Sequence, residues 1–245
     1  DSLPTDVRLK RMQKDKSDQS LIALLFQYGR YLTVSGSRPG TNAMTLQGIW
    51  NEQVRAPWSS SYTTNINTEM NYWPANICGL AQSEEPLFDL LARMVPNGQR
   101  TARELYHCRG FVAHHNTDLW GDTDPQDRYI PASFWPMGAA WLCTHIWRHY
   151  LYSGDMQFLR AQFPMLEQAV LFFTDFLEQD AAGYYVTNPS VSPENTYILP
   201  DGVRGHLCIG PTMDRQILRE LFAGYLAAAA KLSVTNETTC AAAAI

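Results

Sequence analysis

Three polar clusters in the chain carry the residue types from which chemistry is built. The first is Tyr62-Thr63-Thr64-Asn65-Ile66-Asn67-Thr68-Glu69. Asn65 and Asn67 alternate in an extended entry to a helix, so their amides would point to the same side and face one cavity. Spacing alone favours a plainer reading, in which Asn67 caps the helix and Asn65 satisfies nearby backbone groups. The second cluster is His114-His115-Asn116-Thr117-Asp118-Leu119-Trp120. Its residue types include metal ligands, but adjacent His side chains diverge and no second ligand set follows at zinc-like spacing. A loop in which short polar side chains hold hydroxyl groups while an aromatic face packs on a ring fits better, and this makes His115, Asn116, Asp118 and Trp120 candidate ligand contacts. The third cluster, Ser192-Pro193-Glu194-Asn195, sets a carboxyl in a loop whose approach is fixed by proline. A general acid needs such a group, although an arbitrary loop glutamate is more often a solvated charge. No glycine-rich phosphate loop, nucleophile elbow or HExxH helix occurs in the sequence.

These clusters sit in long loops between helices. Leu21, Leu24, Leu25, Tyr28 and Leu32 recur at helical spacing, and the turn residues from Ser35 to Gly40 end that helix. The stretch 48–64 has no period and crowds Trp, Pro, Ser and Asn together, as a long functional loop does. Helices are predicted from near Asn67, over 84–94 and near 101–108. After the loop 109–131, helical spacing resumes from Phe134 to Tyr150. Gly154-Asp155 reads as a stop followed by an N-cap, and Leu166, Ala169, Val170, Phe173, Phe176 and Leu177 form the apolar stripe of the next helix. A brief strand or hairpin is predicted at 183–187, then the acid loop 188–210, then a last helix from about Met213 to Lys231. The segment 234–245 is expected to be irregular. Six or seven helices with no sheet make the chain all-α, one domain over 1–245.

Composition bounds what such a domain can bind. With 245 residues, 45% hydrophobic and 18% charged, the chain is ordinary globular material. Its net charge of -5, with no basic stripe, argues against nucleic acid as a partner, and no apolar run is long enough to cross a bilayer. Five widely spaced cysteines fit neither a zinc frame nor a dense disulfide scaffold. Aromatic residues reach 12%, and seven Trp lie between positions 50 and 147. Rings that stack on sugars and rings that fill helical cores look alike in sequence.

Read together, Leu46-Gln47-Gly48-Ile49-Trp50-Asn51, 62–73, 114–121, Pro131-Ala132-Ser133-Phe134-Trp135-Pro136-Met137-Gly138 and Ser192-Pro193-Glu194-Asn195-Thr196-Tyr197 closely resemble glycoside hydrolase family 95. The resemblance runs from about Leu21 to Lys231 and implies an (α/α)6 barrel that removes terminal α-L-fucose or α-L-galactose with inversion and without metal or cofactor. Glu194 falls on the family's general acid, and Asn65 and Asn67 on the two asparagines that position the attacking water. Thr63 stands where family fucosidases commonly have His, leaving room for a further hydroxyl on C6 of the sugar. Trp135 joins His115, Asn116, Asp118 and Trp120 as an expected sugar contact. The Asp that takes up charge from the water lies, in the family, in a later motif with no match here. The chain is therefore expected to be roughly the N-terminal half of the barrel, a fragment of a longer, secreted protein that supplies the rest. The alternative is a non-catalytic or vestigial carbohydrate-binding fragment.

Overall fold

The computed structural model describes residues 3–245. The N-terminal helices α1 (Thr5–Met12) and α2 (Gln19–Gly36) are joined through Arg8, whose guanidinium meets Asp18 at 2.8 Å; Asp18 also caps α2 by accepting from the Leu21 N–H. The predicted apolar stripe of α2 forms, but it is not buried. Leu21 alone packs away, while Leu24, Leu25, Phe26 and Tyr28 are each at least 45% exposed. Helical spacing made the helix; among the described residues, Leu9 and Met12 of α1 flank part of its apolar face and leave the rest exposed.

The core lies among α3 (Asn67–Ile77), α4 (Glu85–Thr101), α6 (Gly138–Ser153), α7 (Met156–Phe176) and α8 (Thr212–Leu232). A short helix, α5 (Ile130–Ser133), precedes α6, from which Pro136 separates it. As predicted, Gly154 ends α6 with a left-handed backbone and Asp155 caps α7, accepting from the Gln157 and Phe158 N–H groups. The α7 stripe is buried: Phe172 stacks on Phe176 with centroids 5.1 Å apart, and Phe163 stacks on Tyr225 of α8 at 5.3 Å. Glu84, at the N-cap position of α4, sends its two carboxylate oxygens to His145 Nδ1 (3.1 Å) and His149 Nδ1 (2.8 Å) and ties α4 to α6.

Two expectations about elements change. The helices expected over 84–94 and 101–108 are one helix, α4, closed by a π-turn at Ala102–Tyr106. It passes through Pro96, because burial of Leu87, Leu90, Leu91 and Met94 outweighs one lost hydrogen bond. The segment 234–245 is not irregular. It forms α9 (Glu237–Ala244), started by a capping box in which Asn236 Oδ1 accepts from the Thr239 N–H while Thr239 Oγ1 accepts from the Asn236 N–H.

All strands among the described residues are two residues long and pair as isolated antiparallel couples. β1 (Tyr62–Thr63) pairs with β2 (Asn116–Thr117), and β3 (Glu178–Gln179) pairs with β4 (Tyr185–Val186), the predicted hairpin. In the acid loop, β5 (Ser190–Val191) pairs with β8 (Leu207–Cys208), and β6 (Tyr197–Ile198) with β7 (Arg204–Gly205). The result is a helical architecture with no closed barrel, in keeping with a partial (α/α)6 domain.

Candidate active site

The site is assembled by two of these short pairings. Tyr62↔Thr117 and Thr63↔Asn116 set the first two polar clusters side by side, and the Thr64 N–H donates to the His115 carbonyl at 2.7 Å. The Thr64 hydroxyl donates to the His114 carbonyl at 2.7 Å. Gly138, the first residue of α6, packs under this joint: a Cβ there would lie 2.6 Å from Thr64 Oγ1 and closer still to the His114 carbonyl oxygen. Only glycine lets α6 approach the crossing so closely.

The second pairing holds the acid. Ser190 and Val191 of β5 are buried, and the following turn is closed by Asn195 N–H donating to the Ser192 carbonyl (2.7 Å) and Asn195 Nδ2 donating to Ser192 Oγ (3.1 Å). Glu194 stands inside that turn. Beneath it, the buried carboxylate of Asp214 on α8 accepts from Trp135 Nε1 (2.9 Å), Thr187 Oγ1 (2.7 Å) and Ser190 Oγ (2.6 Å). Burial raises the Asp214 pKa, and the three donors only partly offset this.

Across the chain, 129 positions apart, Asn65 Nδ2 donates to Glu194 Oε1 at 3.2 Å. Both residues line a chamber of roughly 670 Å³ together with Leu46, Gln47, Thr63 and Asn67. Asn65 and Asn67 therefore face one cavity, but not through strand alternation, since the chain between Thr63 and Asn67 turns. The capping role weighed for Asn67 is absent: it is the first helical residue of α3, which has no side-chain cap.

A second chamber of roughly 420 Å³ also adjoins Glu194, lined by Ser61, His115, Asn116, Gln126, Asp127 and Tyr129. Trp58, Thr63 and Glu194 line both chambers. Trp58 is 83% exposed and sits, with Ser59 and Ser60, in three successive left-handed backbone conformations. Residues without glycine's freedom hold that geometry only where the surroundings fix it.

The adjacent histidines diverge as expected. His114 is sealed inside, donating from Nδ1 to the Thr123 carbonyl (2.7 Å) and accepting at Nε2 from the Tyr106 hydroxyl (2.6 Å), and burial lowers its pKa to about 4. His115 faces the second chamber, its pKa also lowered by burial. Three of the expected contacts fall elsewhere. Trp135 is wholly buried, with its indole N–H committed to Asp214, so its ring is core. Asp118 Oδ1 accepts from the Trp120 and Asp122 N–H groups, and Trp120 projects outward; neither residue lines either chamber.

Among the chamber residues that the sequence left unassigned are Trp58 and Asp127. Trp58 sits in the loop already marked as functional, and Asp127 in the loop that follows Trp120. Glu69, on α3, is also unassigned; it is wholly buried with neither carboxylate oxygen hydrogen-bonded, and desolvation raises its pKa well above the ordinary range.

Residues 1–244 match the glycosyl hydrolase family 95 catalytic domain. The chain is 43% identical over 232 residues to Alpha-L-fucosidase 2 of Arabidopsis thaliana, an alignment covering 94% of this chain and 28% of that protein. It is 37% identical over 205 residues to Probable alpha-fucosidase A of Aspergillus niger, covering 81% of this chain and 25% of the relative. The chain thus spans less than a third of the length of these curated relatives.

Proposed function

The chain belongs to glycoside hydrolase family 95, and from that premise we propose that it carries the acid-bearing side of an inverting exo-glycosidase that releases terminal α-L-fucose or α-L-galactose from oligosaccharides or plant cell-wall glycans. The observation that carries this reading is the meeting of Glu194 and Asn65 at 3.2 Å on the wall of a chamber that Asn67 also lines. In this role Glu194 gives its proton to the departing glycosidic oxygen. Asn65 has its amide nitrogen on Glu194, which leaves Oδ1 as the acceptor for a water hydrogen, and Asn67 offers a second amide to the same water. An amide is not a base at neutral pH, so the water also needs a carboxylate. None of the described aspartates lines the chamber with the asparagines. We assign that carboxylate to the remainder of a longer protein, along with the surface that covers α2.

Thr63 at the chamber wall, in place of a bulkier histidine, supports acceptance of a sugar with a hydroxyl on C6, so both substrates stay within the proposal. Action outside the cell follows from where such glycans occur. A binding-only role is the competing reading, favoured by the absence of a matching base motif.

The deciding experiment is a proton NMR time course with an α-1,2-fucosylated and an α-L-galactosylated oligosaccharide, on this chain and on the full-length protein, each with and without Glu194→Gln. Early β-anomer that disappears in E194Q while binding persists is the expected result. Binding without release by either unsubstituted protein establishes the binding-only role. Absence of binding by both overturns the reading.

A further inference from the structure

We propose that a third chamber, at the far end of α3 and α6 from Glu194, binds a carboxylate-bearing sugar of the uronic acid class. Arg38 and Ser83 hold its carboxylate, and Asn76 accepts from a ring hydroxyl. α3 begins with Asn67 in the chamber shared with Glu194, and Asn76 lies nine positions further, about 14 Å along the helix axis. α6 likewise begins with Gly138 under the β1–β2 joint and ends with Ser153. At that end the last residues of α2, α3 and α6 and the turn 79–83 enclose roughly 560 Å³. Its walls include Arg38, Pro39, Asn76, Leu80, Ser83 and Tyr152.

These walls carry polar groups that the fold leaves unpaired. The Arg38 main chain closes a turn with Thr41, whereas its guanidinium has no ion pair or hydrogen bond among the described residues, and no described carboxylate lines the chamber. Ser83 is 5% exposed, yet its hydroxyl has no partner among the described residues. Its position is fixed from below by a buried relay: the Met44 N–H donates to the Tyr72 hydroxyl (2.9 Å), which donates to Ser37 Oγ (2.8 Å), which donates to the Ser83 carbonyl (2.8 Å). Asn76 gives Nδ2 to Glu84 Oε2 at 2.6 Å, and its Oδ1 is buried with no partner. Glu84 itself does not line the chamber and already accepts from Asn76, His145 and His149, three donors that offset its charge. Buried polar atoms are rarely left unpaired unless a ligand or water completes them.

Each part of the proposed ligand answers one of these groups. A carboxylate offers the arginine fork two parallel acceptors and takes the serine hydroxyl as a further donor. A hydroxyl donates to Asn76 Oδ1, which a carboxylate alone cannot do. Leu80, Pro39 and the exposed ring of Tyr152 give the sugar's C–H face an apolar wall. A neutral sugar would leave Arg38 without a counter-charge, and a simple acid would leave the Asn76 oxygen unpaired.

The test titrates the full-length protein with sodium D-galacturonate, D-galactose and sodium acetate, followed by ligand-observed proton NMR, and repeats the series with Arg38→Gln and Ser83→Ala. Galacturonate is expected to bind at least about tenfold more tightly than galactose or acetate, since each of these lacks one of the two recognised groups. R38Q should weaken galacturonate by roughly tenfold, the effect of losing a charged hydrogen-bonding partner, and S83A by about threefold. Because the Arg38 guanidinium is unpaired in the fold, R38Q should leave the far-ultraviolet circular dichroism unchanged. Equal affinity for galacturonate and galactose, or for galacturonate and acetate, overturns the proposal. So does galacturonate binding that both substitutions leave unchanged, and so does the absence of galacturonate binding.

Discussion

Replacing Asp214 tests whether the acid loop is held from beneath. Asp214→Ala leaves three donors, Trp135 Nε1, Thr187 Oγ1 and Ser190 Oγ, on residues that are at most 1% exposed. The two hydroxyls can rotate toward other acceptors, but the indole N–H cannot. Losing one fixed buried donor costs about 1–3 kcal/mol, and each hydroxyl adds about 1 kcal/mol, for a total of about 3–5 kcal/mol. In a chain of this length that corresponds to a fall in Tm of roughly 10 °C. Asp214→Asn should cost only about 1 kcal/mol, because its Oδ1 accepts from Trp135 while its Nδ2 donates to the hydroxyl oxygens. The pH dependence follows from the raised pKa. The native state holds this proton more tightly than the unfolded chain, so the contribution of Asp214 is largest in acid and declines as pH rises through the raised value. D214N should remove that slope. Urea titration followed by far-ultraviolet circular dichroism measures all three quantities. A cost below about 1 kcal/mol for D214A, or equal costs for D214A and D214N, would refute the hub.

Glu84 titrates in the opposite sense. Burial raises its pKa, but the hydrogen bonds from His145 and His149 outweigh this and lower it below the ordinary 4.5. Its stabilisation is therefore present above that value and lost as pH falls through the lower, folded one. Glu84→Gln, which can accept from only one of the two histidines, should cost about 2–3 kcal/mol at neutral pH in the same urea assay, with the difference vanishing in acid. Gly138→Ala should cost about 1–3 kcal/mol and weaken sugar binding as well, since the new methyl displaces the His114 carbonyl and its neighbour His115; unchanged binding by titration would contradict this. Thr63→His should lower galactoside turnover relative to fucoside by about tenfold in competition assays, through loss of space for the C6 hydroxyl.

Much of the fold is legible in the order of residues. The helices α2, α6, α7 and α8 follow from apolar spacing, and the Gly154-Asp155 boundary from the backbone freedom of glycine and the capping power of aspartate, because these are local preferences that neighbours in sequence express unaided. The motifs likewise marked Glu194, Asn65, Asn67, Thr63, His115 and Asn116, all of which line the chambers.

The sequence alone did not determine what each side chain meets. Trp135 and Trp58 are the same residue type in loops of similar composition, yet one is sealed against Asp214 and the other stands 83% exposed between two chambers. Asp118 and Asp127 differ in the same way: one takes backbone N–H groups of its own loop and lines neither chamber, while the other lines the chamber that adjoins Glu194. Likewise, α4 runs through Pro96 because tertiary burial outweighs the lost hydrogen bond, and α9 forms because the capping box of Asn236 and Thr239 starts a run of helix-favouring alanines. The partners involved are tens of residues apart in the chain. The free energy that selects among them is released only when α6, α8 and the loops close on one another, so the tertiary structure decides which polar residues become a site and which become core.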